Sequence, residues 1–211
     1  QMKKKILFLA SMAMLLTGCQ EKVITVAGLQ SEDGQETTYI EMKEFQIKEP
    51  QTDSGREEVS CCAVLIPTGY YESEEIPGMY IHERSPLDSS NIYYTVSEGS
   101  GEGRVSDALT EESYQELVEE AYQESGQEVS VEIESFERID MEGVPGYKVR
   151  SSSEIDSEKM QQLTYMILGE DTYTITYSQM SDDELMADFE ISDGEIRLVR
   201  EEEVSLAQNE G

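Results

Sequence analysis

His82 is the sole histidine of the 211-residue chain, so any mechanism that moves a proton through imidazole must run through it. It lies in Gly78-Met79-Tyr80-Ile81-His82-Glu83-Arg84. Period-two alternation puts His82 with Tyr80, opposite Met79 and Ile81, and the expectation is an ordinary histidine on the solvent side of a strand. No Gly-x-Ser-x-Gly elbow accompanies it. The three cysteines are Cys19 and the adjacent pair Cys61-Cys62. Neighbours on a strand point to opposite faces, which is a poor arrangement for a shared metal. Burial as small apolar side chains is the expectation for Cys61 and Cys62, against a competing vicinal disulfide that would need a distorted peptide. Zinc-type His and Cys spacing is absent. The expectation is no catalytic residue, no metal site and no cofactor.

Carboxylates offer a second chemistry, but with 46 Asp and Glu any chosen pair for glycosidase-type work arises by chance. Asp182-Asp183-Glu184 could hold calcium, yet the first turn of a helix already accounts for three acids there. "SEDGQE" lacks the ligand spacing of a calcium loop. "GSGEGR" resembles a phosphate loop only in its glycines, since no Gly-Lys-Ser/Thr follows and the acids around it repel an anion.

The elements that must position these residues read as a mostly antiparallel α+β chain. "CCAVLIP", closed by Pro67, suits a buried strand. "GMYIHER" and "NIYYTVS" follow, the second with Ile92, Tyr94 and Val96 on one face. Tyr70-Tyr71 and Tyr93-Tyr94 read as alternate in-and-out placement in a sheet, with a recognition surface as the other reading. In "LTEESYQELVEEAYQESG", Tyr114, Leu117, Val118, Ala121 and Tyr122 form a helical apolar stripe. Thr110 is its N-cap, Leu109 staples onto Tyr114, and Gly126 ends it. "EVSVEIESF" alternates and then shifts phase at Ser135-Phe136, as a bulge would. "MEGVPGYKVRS" is a turn entering a strand that carries Tyr147 and Val149 on one face. "KMQQLTYMILG" and "DTYTITYSQ" make a hairpin about Gly169-Glu170-Asp171. "MSDDELMADFE" opens a second helix, with Ser181 and Glu184 as a capping box and Met180 and Leu185 as a staple. The tail after it is ambiguous between helix and strand.

Ahead of these lies a segment with three zones. Lys3-Lys4-Lys5 is followed by an apolar run over 6–16 and then by Leu16-Thr17-Gly18-Cys19. A spanning helix needs about 20 apolar residues, so the run has the length of a secretory signal instead. Gln1, before the methionine, is set aside. Leu16-Thr17-Gly18-Cys19 resembles the lipobox of bacterial lipoproteins. That resemblance implies cleavage between Gly18 and Cys19 and a diacylglyceryl group on the Cys19 sulfur, which would hold the chain to the cell membrane on its extracytoplasmic side. Two acyl chains suffice for stable anchoring.

The chain carries a net charge of −31, and loss of the three signal lysines makes it more negative. Phosphate backbones are bound by neutralising lysines and arginines, so nucleic acid is excluded as a partner. An anionic membrane surface likewise repels such a domain. Residues 19–58 are expected as an acidic flexible linker reaching about 35 Å for about 40 residues. "TTYIEMKEFQI" is the stretch within it that could add a strand. A domain over 59–200 and an acidic tail over 201–211 complete the division.

"AVLIPTGYY", "MEGVPGYKVRS" and "DTYTITYSQMSDDELMADFEIS" resemble, in order, PsbP/Mog-like domains. The resemblance covers roughly residues 60–200 through generic strand and turn patterns. It implies a central antiparallel sheet sandwiched by helices and, because known members mostly act by binding, a non-enzymatic binding or scaffold lipoprotein with an envelope protein partner. A cell-envelope hydrolase using paired carboxylates and a small-ligand or calcium-binding lipoprotein are the other readings.

Overall fold

The computed structural model describes residues 23–30, 37–48, 59–97, 109–141, 143–169, 171–181, 186–190 and 196–200. In chain order these form β1 (Val23–Gln30), β2 (Thr37–Lys48), β3 (Val59–Pro67), β4 (Tyr70–Glu72), β5 (Met79–His82), β6 (Asn91–Ser97), α1 (Glu111–Glu124), β7 (Val131–Met141), β8 (Val144–Ile155), β9 (Glu158–Leu168), β10 (Thr172–Met180), α2 (Met186–Glu190) and β11 (Arg197–Arg200). A seven-stranded sheet runs β4-β5-β6-β10-β9-β8-β7, and a four-stranded sheet runs β1-β2-β3-β11. The pairings are antiparallel.

The second sheet corrects the expected architecture. Helices were to cover both faces of a single sheet; one face of the large sheet is instead packed mainly by the small one. The cause is visible in β3. Its run from Cys62 to Ile66 is buried on both faces, and a strand without a wet side also needs partners on both edges. It pairs with β2 and β11. The tail that was ambiguous between helix and strand therefore supplies strand β11. The flexible linker expected over 19–58 is corrected too, because it contains β1 and β2. The acids and glycines spread across that window hide an uncharged strand, "VITVAGLQ". The signal-like segment 1–18, Cys19 and the tail 201–211 lie outside the described residues.

Alternation along β9 and β10 divides the large sheet. Leu163, Tyr165, Ile167, Tyr173, Ile175 and Tyr177 form its inner face, against Ile47, Cys62, Val64 and Ile66 of the small sheet and Met186 and Phe189 of α2. The Tyr177 ring stacks on Phe189 at 4.8 Å, and its hydroxyl donates to the Leu65 carbonyl at 3.3 Å. The outer face carries a smaller cluster of Tyr147, Val149 and Leu168 under Tyr114 of α1.

Helix α1 starts at the expected N-cap, where Thr110 and Ser113 exchange side-chain and backbone hydrogen bonds. Leu109 packs in the same cluster as Tyr114. The apolar stripe is narrower than its spacing predicts, however. Leu117 is 58% exposed and Ala121 is exposed, so α1 touches the sheet chiefly through Tyr114 and Val118. Strand β7 shifts register between Ile133 and Ser135. That bulge keeps Val131 and Ile133, and then Phe136, on the outer face. Ser181 has φ +74°, outside the extended backbone of an N-cap. Glu184 and Leu185 of the expected cap and staple, and the acids Asp182 and Asp183, lie outside the described residues.

Candidate functional site

Gly18 and Cys19 lie outside the described residues. Cys61 and Cys62 are consecutive rungs of β3, opposite Lys48 and Ile47 on β2. The Cys62 side chain is completely buried in the core between the sheets.

His82 is not on the solvent side. Tyr80 points into the core, and His82 shares its face with a side chain only 14% exposed. The ring meets Tyr70 edge-on at 5.2 Å. Its Nδ1 accepts the Arg84 backbone N–H at 3.2 Å and lies 3.4 Å from Asp88 Oδ2. That same Oδ2 accepts from Arg84 Nη2 at 3.1 Å. Asp88 Oδ1 accepts from the Ser90 N–H at 3.0 Å and from the Ser90 hydroxyl at 2.5 Å. The Tyr70 hydroxyl closes the chain, 2.7 Å from Ser90 Oγ. Burial pushes the Asp88 carboxyl up, but the Ser90 hydroxyl and N–H, with His82 and Arg84, outweigh it and hold the group below its ordinary value. Burial, moderated by Ser90, pushes the Tyr70 phenol up to about 12.

Serine, histidine and aspartate thus come together, but not as a catalytic triad. Ser90 and Tyr70 are almost fully buried, and Ser90 donates to Asp88 rather than to the imidazole. The network serves as a clasp. It ties β4 to the loop between β5 and β6, whose turns are closed by Ser85 N–H to the His82 carbonyl and by Leu87 N–H to the Arg84 carbonyl. Leu87 stands 95% exposed on that loop. Among the described residues, Asp188 is the carboxyl pushed up, by burial. Asp88, by contrast, is held below its ordinary value with both oxygens already engaged. No group of His, Cys, Asp and Glu among the described residues could hold a metal ion.

On the inner face, α2 is latched to the sheet electrostatically. Glu190 Oε1 is 2.5 Å from Arg150 Nη2 and 3.5 Å from Lys148 Nζ. Burial raises the Glu190 carboxyl, and the two cations more than offset that, leaving it lowered.

The outer face supplies the more accessible surface. Strand register aligns Tyr71 with Ile81 and Asn91, and Met79 with Tyr93 and Thr176. Beyond them run hydroxyls and amides: Thr164 and Thr176 oxygens are 3.3 Å apart, and Gln162 Nε2 donates to Ser178 Oγ at 3.2 Å. Helix α1 covers the β7–β8 end of this face. At the β4–β6 end, Tyr71 is 48%, Ile76 44% and Tyr93 38% exposed. Both tyrosine doublets split as alternation predicts, with Tyr70 and Tyr94 on the inner face and Tyr71 and Tyr93 on the outer. The β4–β5 turn can approach the backbone of β6 because Gly78, with φ +81°, is there. A β carbon on Gly78 would sit 2.9 Å from the Tyr94 carbonyl oxygen and 3.8 Å from Tyr93 Cε2.

No family model and no curated protein matches the chain. Solved structures do match. Cyanobacterial PsbP (CyanoP) from Synechocystis sp. PCC 6803 aligns with a TM-score of 0.54 at 14% identity, over 74% of this chain and 92% of that one. The fold is PsbP-like. LpqN of Mycobacterium tuberculosis, involved in cell envelope biogenesis, aligns over 75% of this chain and 91% of its own with a TM-score of 0.42 at 9% identity. Identities this low carry backbone architecture and no residue roles. Within the PsbP-like sheet, the exposed tyrosine patch lies at the end farthest from α1.

Proposed function

We propose that the chain is a lipid-anchored extracytoplasmic lipoprotein that works by binding, as a scaffold or adaptor, without catalysis. The observation that carries this reading is the contrast between two sites. His82, Asp88 and Ser90 are closed with Tyr70 into a clasp, whereas Tyr71 and Tyr93 are exposed on the outer sheet face and Ile76 is exposed in the β4–β5 turn beside them. Tyrosine is favoured where one surface must be apolar and polar together. The anchor rests on Leu16-Thr17-Gly18-Cys19 and the basic, apolar segment before it. No helix among the described residues is long and apolar enough to cross a membrane.

Two measurements test this. Cells fed an alkyne fatty acid should label the native chain, and Cys19→Ser should abolish the label and the partition into detergent. Photocrosslinkers placed at Tyr71 and Tyr93 should give one discrete adduct on intact cells, while the same group on α1 at Glu116 should not. Labelling that survives Cys19→Ser removes the anchor. Absence of any discrete adduct, together with turnover of a defined substrate, removes the binding role.

A further inference from the structure

The patch on the outer face has an electrostatic setting that selects among partners. Tyr71 and Tyr93 stand on β4 and β6, with β5 between them contributing Ile81 and Met79 to the same face. Strands lie about 4.8 Å apart, so the two rings flank an apolar floor roughly 10 Å across. The turn carrying Ile76 also carries exposed Glu74 and Glu75, and exposed Glu83 follows β5. No lysine or arginine occurs between Gly69 and Glu83.

Resting on the binding role above, we infer that this patch receives a lysine- or arginine-bearing segment of a protein partner. Two lines of chemistry converge on a cation flanked by apolar residues. Tyrosine faces attract ammonium and guanidinium groups through the ring quadrupole, and the nearby glutamates add a rim of the complementary sign. A segment alternating basic and apolar residues would seat its apolar side chains on Ile81 and Met79 and its cations against the rings and the rim. The other occupants of such a surface are disfavoured by the same charges. A second copy would bring Glu74 and Glu75 against their counterparts on a chain of net charge −31. An anionic lipid surface would be repelled.

The test titrates the full chain with a leucine–lysine alternating nonapeptide and its leucine–glutamate counterpart, read by fluorescence anisotropy and by backbone NMR shifts. The expected result is binding of the lysine peptide only. Shifts should concentrate on Tyr71, Ile76, Met79, Ile81 and Tyr93, and binding should weaken in high salt. Tyr71→Ala with Tyr93→Ala should weaken it at least tenfold, whereas Glu116→Gln with Glu120→Gln on α1 should change it less than twofold. Ile76→Ser, in the turn rather than on the ladder, gives the same reading if the double tyrosine variant folds poorly. Shifts spread over all acidic surfaces, or tyrosine variants that bind as the parent does, overturn the site. Equal binding of both peptides at the patch overturns the cationic partner but not the binding role. Self-association, or adhesion to anionic or zwitterionic vesicles through the patch, overturns the protein segment as occupant.

Discussion

Gly146 marks a place where one hydrogen atom decides the packing. A β carbon there would land 2.5 Å from the Met166 carbonyl oxygen and 3.2 Å from Ile139 Cγ1. The first neighbour is backbone of β9, which cannot swing aside. Gly146→Ala is expected to cost at least ~2 kcal/mol, at the upper part of the range for overpacking. A fall in the urea midpoint with an unchanged slope would register it; a midpoint within error of the parent would contradict the close approach. At this scale the sequence was legible in part. "GVPGYK" shows glycine and proline and so announces a turn, but only Gly143, with φ +91°, belongs to it, and Gly146 sits inside β8. His82 was misplaced for a related reason. Met-Tyr-Ile-His has no polar face to contrast with an apolar one, so alternation reveals which residues share a side and not which side is wet.

Helix α1 is held by Tyr114 and Val118 on the sheet, by Glu119 Oε1 accepting the Val131 N–H at 2.9 Å, and by its N-cap. Thr110→Ala removes an acceptor for the Ser113 N–H, which the Thr110 hydroxyl bonds at 3.2 Å, at an expected cost of about 1 kcal/mol. Amide exchange should quicken over the first two turns of α1 while the β9–β10 hairpin stays protected; uniform loss of protection would show that α1 and the large sheet open together. Elements with a strong local signal were readable: Thr110 before an apolar stripe, the phase shift that becomes the β7 bulge, and the turn between β9 and β10. Strand β1 was hidden by composition averaged over forty residues, whereas β2 is the stretch "TTYIEMKEFQI" already offered as a strand. Leu117 is outside the helix contact because a stripe of correct period does not say how wide the receiving surface is.

Charge sets how the whole molecule answers to pH. Asp88 and Glu190 both have lowered carboxyls when folded, so the unfolded chain takes up their protons first as pH falls. Their stabilisation is complete above the ordinary carboxyl range of about 4 and is lost as pH drops below it. Urea midpoints should be steady near neutrality and fall below about pH 4, and Asp88→Asn or Glu190→Gln should flatten that limb. A limb as steep in both variants as in the parent would exclude these groups as its origin. Tyr70 acts with the opposite sense. Its phenol is raised to about 12, so its contribution is present below about pH 10, where an unfolded tyrosine ionises, and is lost as pH climbs toward the folded value. Tyr70→Phe should lower stability at neutral pH through loss of the Ser90 bond and show a shallower alkaline decline; an unchanged alkaline limb would assign that decline to other tyrosines.

The layering of the two sheets has a directional consequence. Strand β1, the first described stretch of the chain, belongs to the sheet packed behind the core, and Tyr71 and Tyr93 belong to the front of the other. If the proposed attachment ahead of Val23 is correct, a tether would join the molecule through the sheet that does not carry the tyrosines, and the aromatic face would be left open on the other sheet.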